Sequence, residues 1–357
     1  MSRFLSERLD GLQAYVPGEQ PKDTQYIKLN TNENPYPPSK GVLDSVNRRE
    51  AEKLYLYSDP TNSALAKAFA KVYAVNPACV LFGNGSDEIL SFCFQAFCDA
   101  KKGIAFPQIS YGFYAVLCGL YGIPFEKIPL KSDFTIDAAD YCGLDQNIVI
   151  ANPNAPTGLC LSADEIVKIL ETNRDNVVII DEAYVDFGGE SVYPLIDRYD
   201  NLIVVQTFSK SRSLAGGRLG FAIACESLIA DLNKIKYSTN PYNVNRLTTA
   251  AGVACFADND YYLANCRTIM QTREDIKARL RALSFTVLDS SANFLFVKSS
   301  HMKGKALYLA LKQKGILVRH FDQPEITDYL RVTIGTPKQM EAFLKAVKEI
   351  EDENQQH

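Results

Sequence analysis

Apolar residues in the middle of the chain come in short unbroken runs, not in alternation. VLFG (80–83), GIAFP (103–107), NIVIANP (147–153), NVVIIDEAY (176–184), NLIVVQTFSK (201–210) and GFAIA (220–224) each predict a strand buried on both faces. Between most of them the period lengthens to that of amphipathic helix, as in SADEIVKILETN (162–173). Strands of this kind alternating with helices predict an α/β domain whose mostly parallel sheet is covered by helices on both faces. After STNPYN (238–243) the pattern changes. Long helical periodicity (247–256, 265–283) leads into FTVLDSSANFLFVKS (285–299), a helix near 303–314, GILVRHF (315–321) and YLRVTIGT (329–336), which reads as a smaller α+β domain. The predicted division is a large domain over 36–245 and a small one over 1–35 with 246–357. The end, EDENQQH (351–357), reads as frayed chain.

Length and composition agree with two cores. The chain has 357 residues, and single cores stop growing near ~250–300. Hydrophobic residues make up 46%, charged residues 22%, and the net charge is −4, with no block of like charges to suit a nucleic acid. No stretch approaches the ~18 apolar residues of a membrane span, and the first eighteen residues lack the apolar region of a signal peptide, so the expected location is the cytoplasm. Nine cysteines, odd in number and irregular in spacing, predict reduced thiols. With His301, His320 and His357 the only histidines and no CxxC pair, no metal site is expected.

Three consecutive predicted strands end in polar groups: Asn154 after IVIANP, Asp181 and Tyr184 after VVII, Lys210 after LIVVQTFS. Ligands of open parallel sheets bind beyond the carboxyl ends of the strands, so these side chains should meet in one crevice. A lysine that loses charge on desolvation, helped by a second cation such as Arg218, is an amine able to form a Schiff base with an aldehyde. A buried carboxylate suits a protonated aromatic ring nitrogen. FGNGSDEILSF runs from a strand through Gly83 and Gly85 into a helix, so the amides of Gly85, Ser86 and Asp87 should face an anion there. GNGSDE is neither a dinucleotide fingerprint nor a Walker loop. Together these groups describe pyridoxal 5'-phosphate. Lys210 would take its aldehyde, while Arg218, the Thr207 and Ser209 hydroxyls and the amides of 85–87 would take its phosphate.

The chain also resembles the fold-type I pyridoxal-phosphate aminotransferases of class I and II, and within them the histidinol-phosphate aminotransferase branch. The resemblance runs through LNTNENPYPPS (29–39), YSDP (57–60), GNGSDE (83–88), SYGFY (110–114), NPNAPTG (152–158), DEAYVDF (181–187), TFSKSRSLAGGRLGF (207–221), ANFLFV (292–297), GILVR (315–319) and YLRVTIGT (329–336). It implies Asp181 on the pyridine nitrogen, Tyr184 on the ring hydroxyl and Tyr111 against the ring face. Tyr57 would reach the cofactor phosphate of a neighbouring subunit, which requires a homodimer. Arg331 would hold the substrate carboxylate as a fork, with Arg319 and Tyr15 helping to bind a substrate phosphate. Many relatives carry asparagine where this chain has Ala155; either Asn154 substitutes from one residue earlier or Tyr184 holds the ring hydroxyl alone. The implied reaction is transamination of L-histidinol phosphate with 2-oxoglutarate. An aromatic or broad-specificity amino-acid aminotransferase and a threonine-phosphate decarboxylase are the alternatives on the same scaffold.

Overall fold

The computed structural model describes residues 4–20 and 26–355. The six apolar runs all form strands, joined at one edge by a seventh, and we label them in chain order: β1 (Val80–Gly83), β2 (Ile104–Pro107), β3 (Phe125–Ile128), β4 (Asn147–Ala151), β5 (Val178–Asp181), β6 (Leu202–Thr207) and β7 (Gly220–Ala224). They make one sheet in the order β1-β7-β6-β5-β4-β2-β3. All run parallel except β7, which pairs antiparallel with both neighbours. Side-chain alternation explains the unbroken apolar runs. Ile148, Ile150, Val178, Ile180, Leu202 and Val204 face one hydrophobic layer, while Val149, Ile179, Ile203 and Val205 face the other. Helices Ser86–Phe97, Phe113–Tyr121 and Glu226–Thr239 cover the second layer. Helices Ser63–Tyr73 and Ala163–Thr172 cover the first, the latter opened by a capping box between Ser162 and Glu165.

A separate core lies around an antiparallel sheet in which Arg319–His320, Leu330–Thr333, Phe294–Ser299 and Phe285–Val287 are neighbours in that order. Helices Gly304–Gln313 and Pro337–Gln355 pack on it. The long helix Asn259–Ala282 connects the two cores, with Tyr262 in the first and Cys266, Ile269, Ile276 and Leu280 in the second. Two features differ from the sequence reading. Helix Arg246–Ala257, assigned there to the small domain, inserts Ala251, Cys255 and Phe256 into the first core against Val42, Leu65 and Phe69. The EDENQ stretch continues the last helix, because Ile350 and Glu351 are buried and Glu351 accepts a hydrogen bond from Ser299 Oγ at 2.7 Å. Gln356 and His357 lie outside the described residues. No helix among the described residues is long and apolar enough to cross a membrane.

The segment before the first strand spans both units. Tyr15 sits edge-on to Tyr111 and Phe113 at 6.0 Å, while Glu19 pairs with Lys312 at 2.7 Å. One wall of the crevice between the cores is therefore made of N-terminal chain.

Candidate active site

The carboxyl ends of β4, β5 and β6 open into a cleft of about 620 Å³ that also reaches the small sheet. Of the residues singled out from sequence, Tyr15, Ser86, Asp87, Tyr111, Asp181, Tyr184, Thr207, Ser209, Lys210, Arg218, Arg319 and Arg331 line it. Asp181 is the last residue of β5, 4% exposed. It accepts hydrogen bonds from Tyr114 Oη at 2.8 Å and from the Ala183 amide at 3.2 Å. Burial pushes its carboxyl up to about 6, and the Tyr114 hydroxyl opposes that rise. A buried carboxylate with so few partners favours an incoming N–H⁺.

Lys210 follows β6, and its Nζ donates to the Thr31 carbonyl at 3.1 Å, 5.7 Å from the centre of the Tyr184 ring. It makes no ion pair among the described residues, so its amine is not committed to a carboxylate. Asn34 Nδ2 holds the Lys210 and Ser211 carbonyls at 3.0 and 3.1 Å, which fixes the backbone under the lysine.

The anion cradle forms where helix Ser86–Phe97 begins. Gly85 has φ +86°, a left-handed conformation that favours glycine, and a Cβ there would stand 2.7 Å from the Arg218 guanidinium, which would have to move. The Gly85 amide itself is not available: it donates to the Gly83 carbonyl at 2.9 Å in a tight turn. That corrects the sequence reading and leaves Ser86 and Asp87 as the amides that open the helix toward the cleft. Asp87 Oδ1 accepts from Tyr111 Oη at 2.9 Å and its Oδ2 meets Arg218 at 3.3 Å. Thr207 Oγ1 and Ser209 Oγ stand 3.0 Å apart on the opposite side.

At the far end of the cleft the antiparallel register sets Arg319 directly opposite Arg331, so both side chains leave the same face of the small sheet. Arg331 is held by the Asn30 carbonyl at 3.0 Å, over the Phe294 ring, and its Nε has no hydrogen-bond partner. Burial lowers its pKa. Arg319 donates hydrogen bonds to the Val16 and Pro17 carbonyls, at 3.3 and 3.4 Å, and lies over the Phe321 ring. Neither arginine forms an ion pair among the described residues. Burial raises the pKa of Tyr15 while the two arginines lower it.

Besides Gly85, two of the predicted residues do not line the cleft. Asn154 is buried and committed: its Nδ2 donates to the Ile109 carbonyl and Thr157 Oγ1, and its Oδ1 accepts from Ser110. It ties two loops together with both amide protons used, so it has no donor left to offer in place of the asparagine missing at Ala155. Tyr57 is 79% exposed and stacks on Tyr242 with ring centres 4.4 Å apart, away from the cleft of its own chain. Sequence reasoning overlooked Tyr114, which reads as one more core aromatic, and Asn32, which reaches Tyr184 Oη at 3.0 Å. The signal for the second lay in LNTNENP, where Asn30, Asn32 and Asn34 recur at every other position.

Residues 24–347 match the model of the family "Aminotransferase class I and II". The chain belongs to that family. A histidinol-phosphate aminotransferase of Brachyspira hyodysenteriae is 52% identical over 351 residues, spanning 98% of this chain and 99% of that protein. Among solved structures, a histidinol-phosphate aminotransferase of Sinorhizobium meliloti in complex with pyridoxal-5'-phosphate aligns with TM-score 0.82 at 23% identity, covering 91% of each chain. L-threonine-O-3-phosphate decarboxylase of Porphyromonas gingivalis aligns with TM-score 0.79 at 21% identity, over 91% of this chain and 99% of that one. At those identities the two structures speak for the aminotransferase fold alone.

Proposed function

We propose that the cleft binds pyridoxal 5'-phosphate and that the chain transfers the amino group of L-histidinol phosphate to 2-oxoglutarate, releasing imidazole acetol phosphate and L-glutamate. The observation that carries the substrate is the facing pair Arg319 and Arg331, two guanidinium groups without a carboxylate partner, with Tyr15 beside them. Such a pair demands an anion of more than one charge, and a phosphate ester supplies it. The cofactor fits the other end on the chain's own chemistry. Ser86 and Asp87 amides, the Ser209 and Thr207 hydroxyls and Arg218 suit its phosphate; Asp181 suits its ring nitrogen, Tyr184 its ring hydroxyl, Tyr111 its ring face. When bound, pyridoxal phosphate supplies an aldehyde to link to amines and a ring that accepts the electrons left on the amino-bearing carbon. Lys210 would hold that aldehyde, and its amine, when free, would be the group placed to take and return the substrate proton. The carboxylate of Asp181 would keep the ring nitrogen protonated.

The homodimer belongs to the same reading. Leu54, Tyr55, Leu56 and Tyr57 form an exposed run, Tyr55 84% and Tyr57 79% accessible, which a second copy would cover. Tyr57 would then serve the phosphate of the partner's site. Nine cysteines without disulfides suit a reducing cytoplasm.

The test is an anaerobic absorbance scan of the purified protein before and after L-histidinol phosphate, with no keto acid present. A visible band that converts stoichiometrically to a near-ultraviolet one, and is absent in Lys210→Ala, is the expected result. A band that L-histidinol phosphate leaves unmoved but aromatic amino acids convert would replace the substrate. Carbon dioxide released without a keto acid would replace transamination by decarboxylation.

A further inference from the structure

Ala155 and Pro156 line the cleft without a side-chain donor, and Asn154 is committed elsewhere. The polar group that reaches Tyr184 comes from the opposite wall. Asn32, 1% exposed, donates from Nδ2 to Tyr184 Oη at 3.0 Å across 152 positions of sequence. Its orientation is determined by the small sheet. Thr333 Oγ1 accepts the Asn32 backbone N–H at 3.0 Å and gives its own proton to Asn32 Oδ1 at 2.9 Å, while Asn293 Nδ2 holds the Asn32 carbonyl at 3.0 Å. With Oδ1 occupied, Nδ2 is the end that faces the phenol. The backbone of Asn32 lies at φ +56°, a left-handed conformation that asparagine adopts more readily than most residues.

Hydrogen-bond polarity gives this contact its meaning. A phenol oxygen that accepts an N–H keeps its own proton for donation elsewhere. Asn32 therefore turns the Tyr184 O–H outward into the cleft. We propose that Asn32 is a positioning residue for the cofactor's ring oxygen: it acts through Tyr184, and it supplies from the small-domain side the amide that position 155 lacks. The inference rests on the reading of the cleft as a pyridoxal phosphate site.

The informative variant is Asn32→Asp, which keeps the shape and the acceptor for Thr333 but replaces the donor with a carboxylate that takes the Tyr184 proton. A donated hydrogen bond favours the charged ring oxygen and so lowers the pH at which the lysine–cofactor linkage loses its proton. Removing it should raise the midpoint of the visible band's pH titration by about one unit. The dissociation constant for pyridoxal phosphate, measured by titrating apoprotein, should rise as well. In a Tyr184→Phe background the same substitution should move the midpoint far less, because coupled residues are not additive. Thr333→Val, which removes the group that orients the amide, should raise the midpoint in the same direction if Asn32→Asp folds poorly. An equal shift with and without Tyr184, meaning a bare charge effect, overturns the proposal, and so does an unmoved midpoint. Absence of any visible band in the parent protein would instead sink the cofactor reading, and this inference with it.

Discussion

The two ends of the cleft are built on opposite plans. At the ends of β5 and in the helix cradle, charged groups already have protein partners: Asp181 has Tyr114 and the Ala183 amide, and Asp87 bridges Tyr111 and Arg218. At the small sheet, Arg319 and Arg331 meet backbone carbonyls and aromatic ring faces but no carboxylate among the described residues, and Arg331 keeps an unpartnered Nε. The first end is preorganised and holds its geometry without a ligand. The second carries uncompensated charge, which a ligand must satisfy. Substitutions at the arginine end should therefore be costly and depend on the substrate's anion, whereas those at the preorganised end should spread over several smaller effects.

The sharpest break would come at Arg331. Its replacement by alanine should lower kcat/KM by about 10²-fold or more in both half-reactions, the scale expected when a buried charge contact to an anion is lost. Arg319→Ala should separate them, lowering kcat/KM for L-histidinol phosphate by about tenfold while glutamate is affected less. Equal losses for the two donors would erase the distinction drawn for the arginine end. Single-turnover absorbance measurements with each donor make the comparison.

A smaller effect is expected from Tyr114→Phe. Removing the hydroxyl takes away one of two donors to Asp181 and costs about 1–2 kcal/mol of carboxylate stabilisation, read as roughly tenfold weaker pyridoxal phosphate binding. If fluorescence titration of apoprotein shows no change, Tyr114 is a core aromatic and nothing more.

The smallest effect is on stability. Burial raises the Asp181 carboxyl from its ordinary 3.8 to about 6, so the native apoprotein binds more protons than the unfolded chain between those values. The stabilising contribution is thus complete below about 4 and is lost as pH rises through about 6. Asp181→Asn removes that loss. Its apoprotein should melt about 2 °C above the parent at pH 7.5, with the gap closing toward pH 4.5. Circular dichroism melts at several pH values test it, and a gap independent of pH would mean that Asp181 is not strained when empty.

Much of this plan is legible in sequence because it obeys local rules. Unbroken apolar runs announce buried strands, and a polar residue closing such a run lies at the sheet's carboxyl edge, as Asp181 and Lys210 do. The second core was read from periodicity in the same way. What escaped reading depends on distance or on bookkeeping of single groups. Tyr114 is spaced like a core residue, and only three dimensions bring its hydroxyl to Asp181. Asn32 meets Tyr184 across the domain boundary. Asn154 has the right chemistry in the right motif, yet its amide is already used by Ile109 and Thr157, a fact that no one-dimensional pattern carries. The Gly85 amide was lost to Gly83 in the same manner. The terminal EDENQ looked solvated because its one buried acid, Glu351, has its partner in Ser299, 52 residues away.

The reversed strand β7 has a consequence for how this enzyme can change over time. Because β7 returns antiparallel beside β6, with Thr207 opposite Gly220, the residues between them form one closed loop carrying both Lys210 and Arg218. Gly220 packs against the Ser86 backbone nitrogen so closely that no side chain fits, which pins the loop's far end to the cradle. The loop thus works as a ruler between two ligand groups. Insertions or deletions inside it would rescale that distance, while the exposed edge strand β3 lies outside it. Drift in this lineage is expected to accumulate around the ruler, not within it.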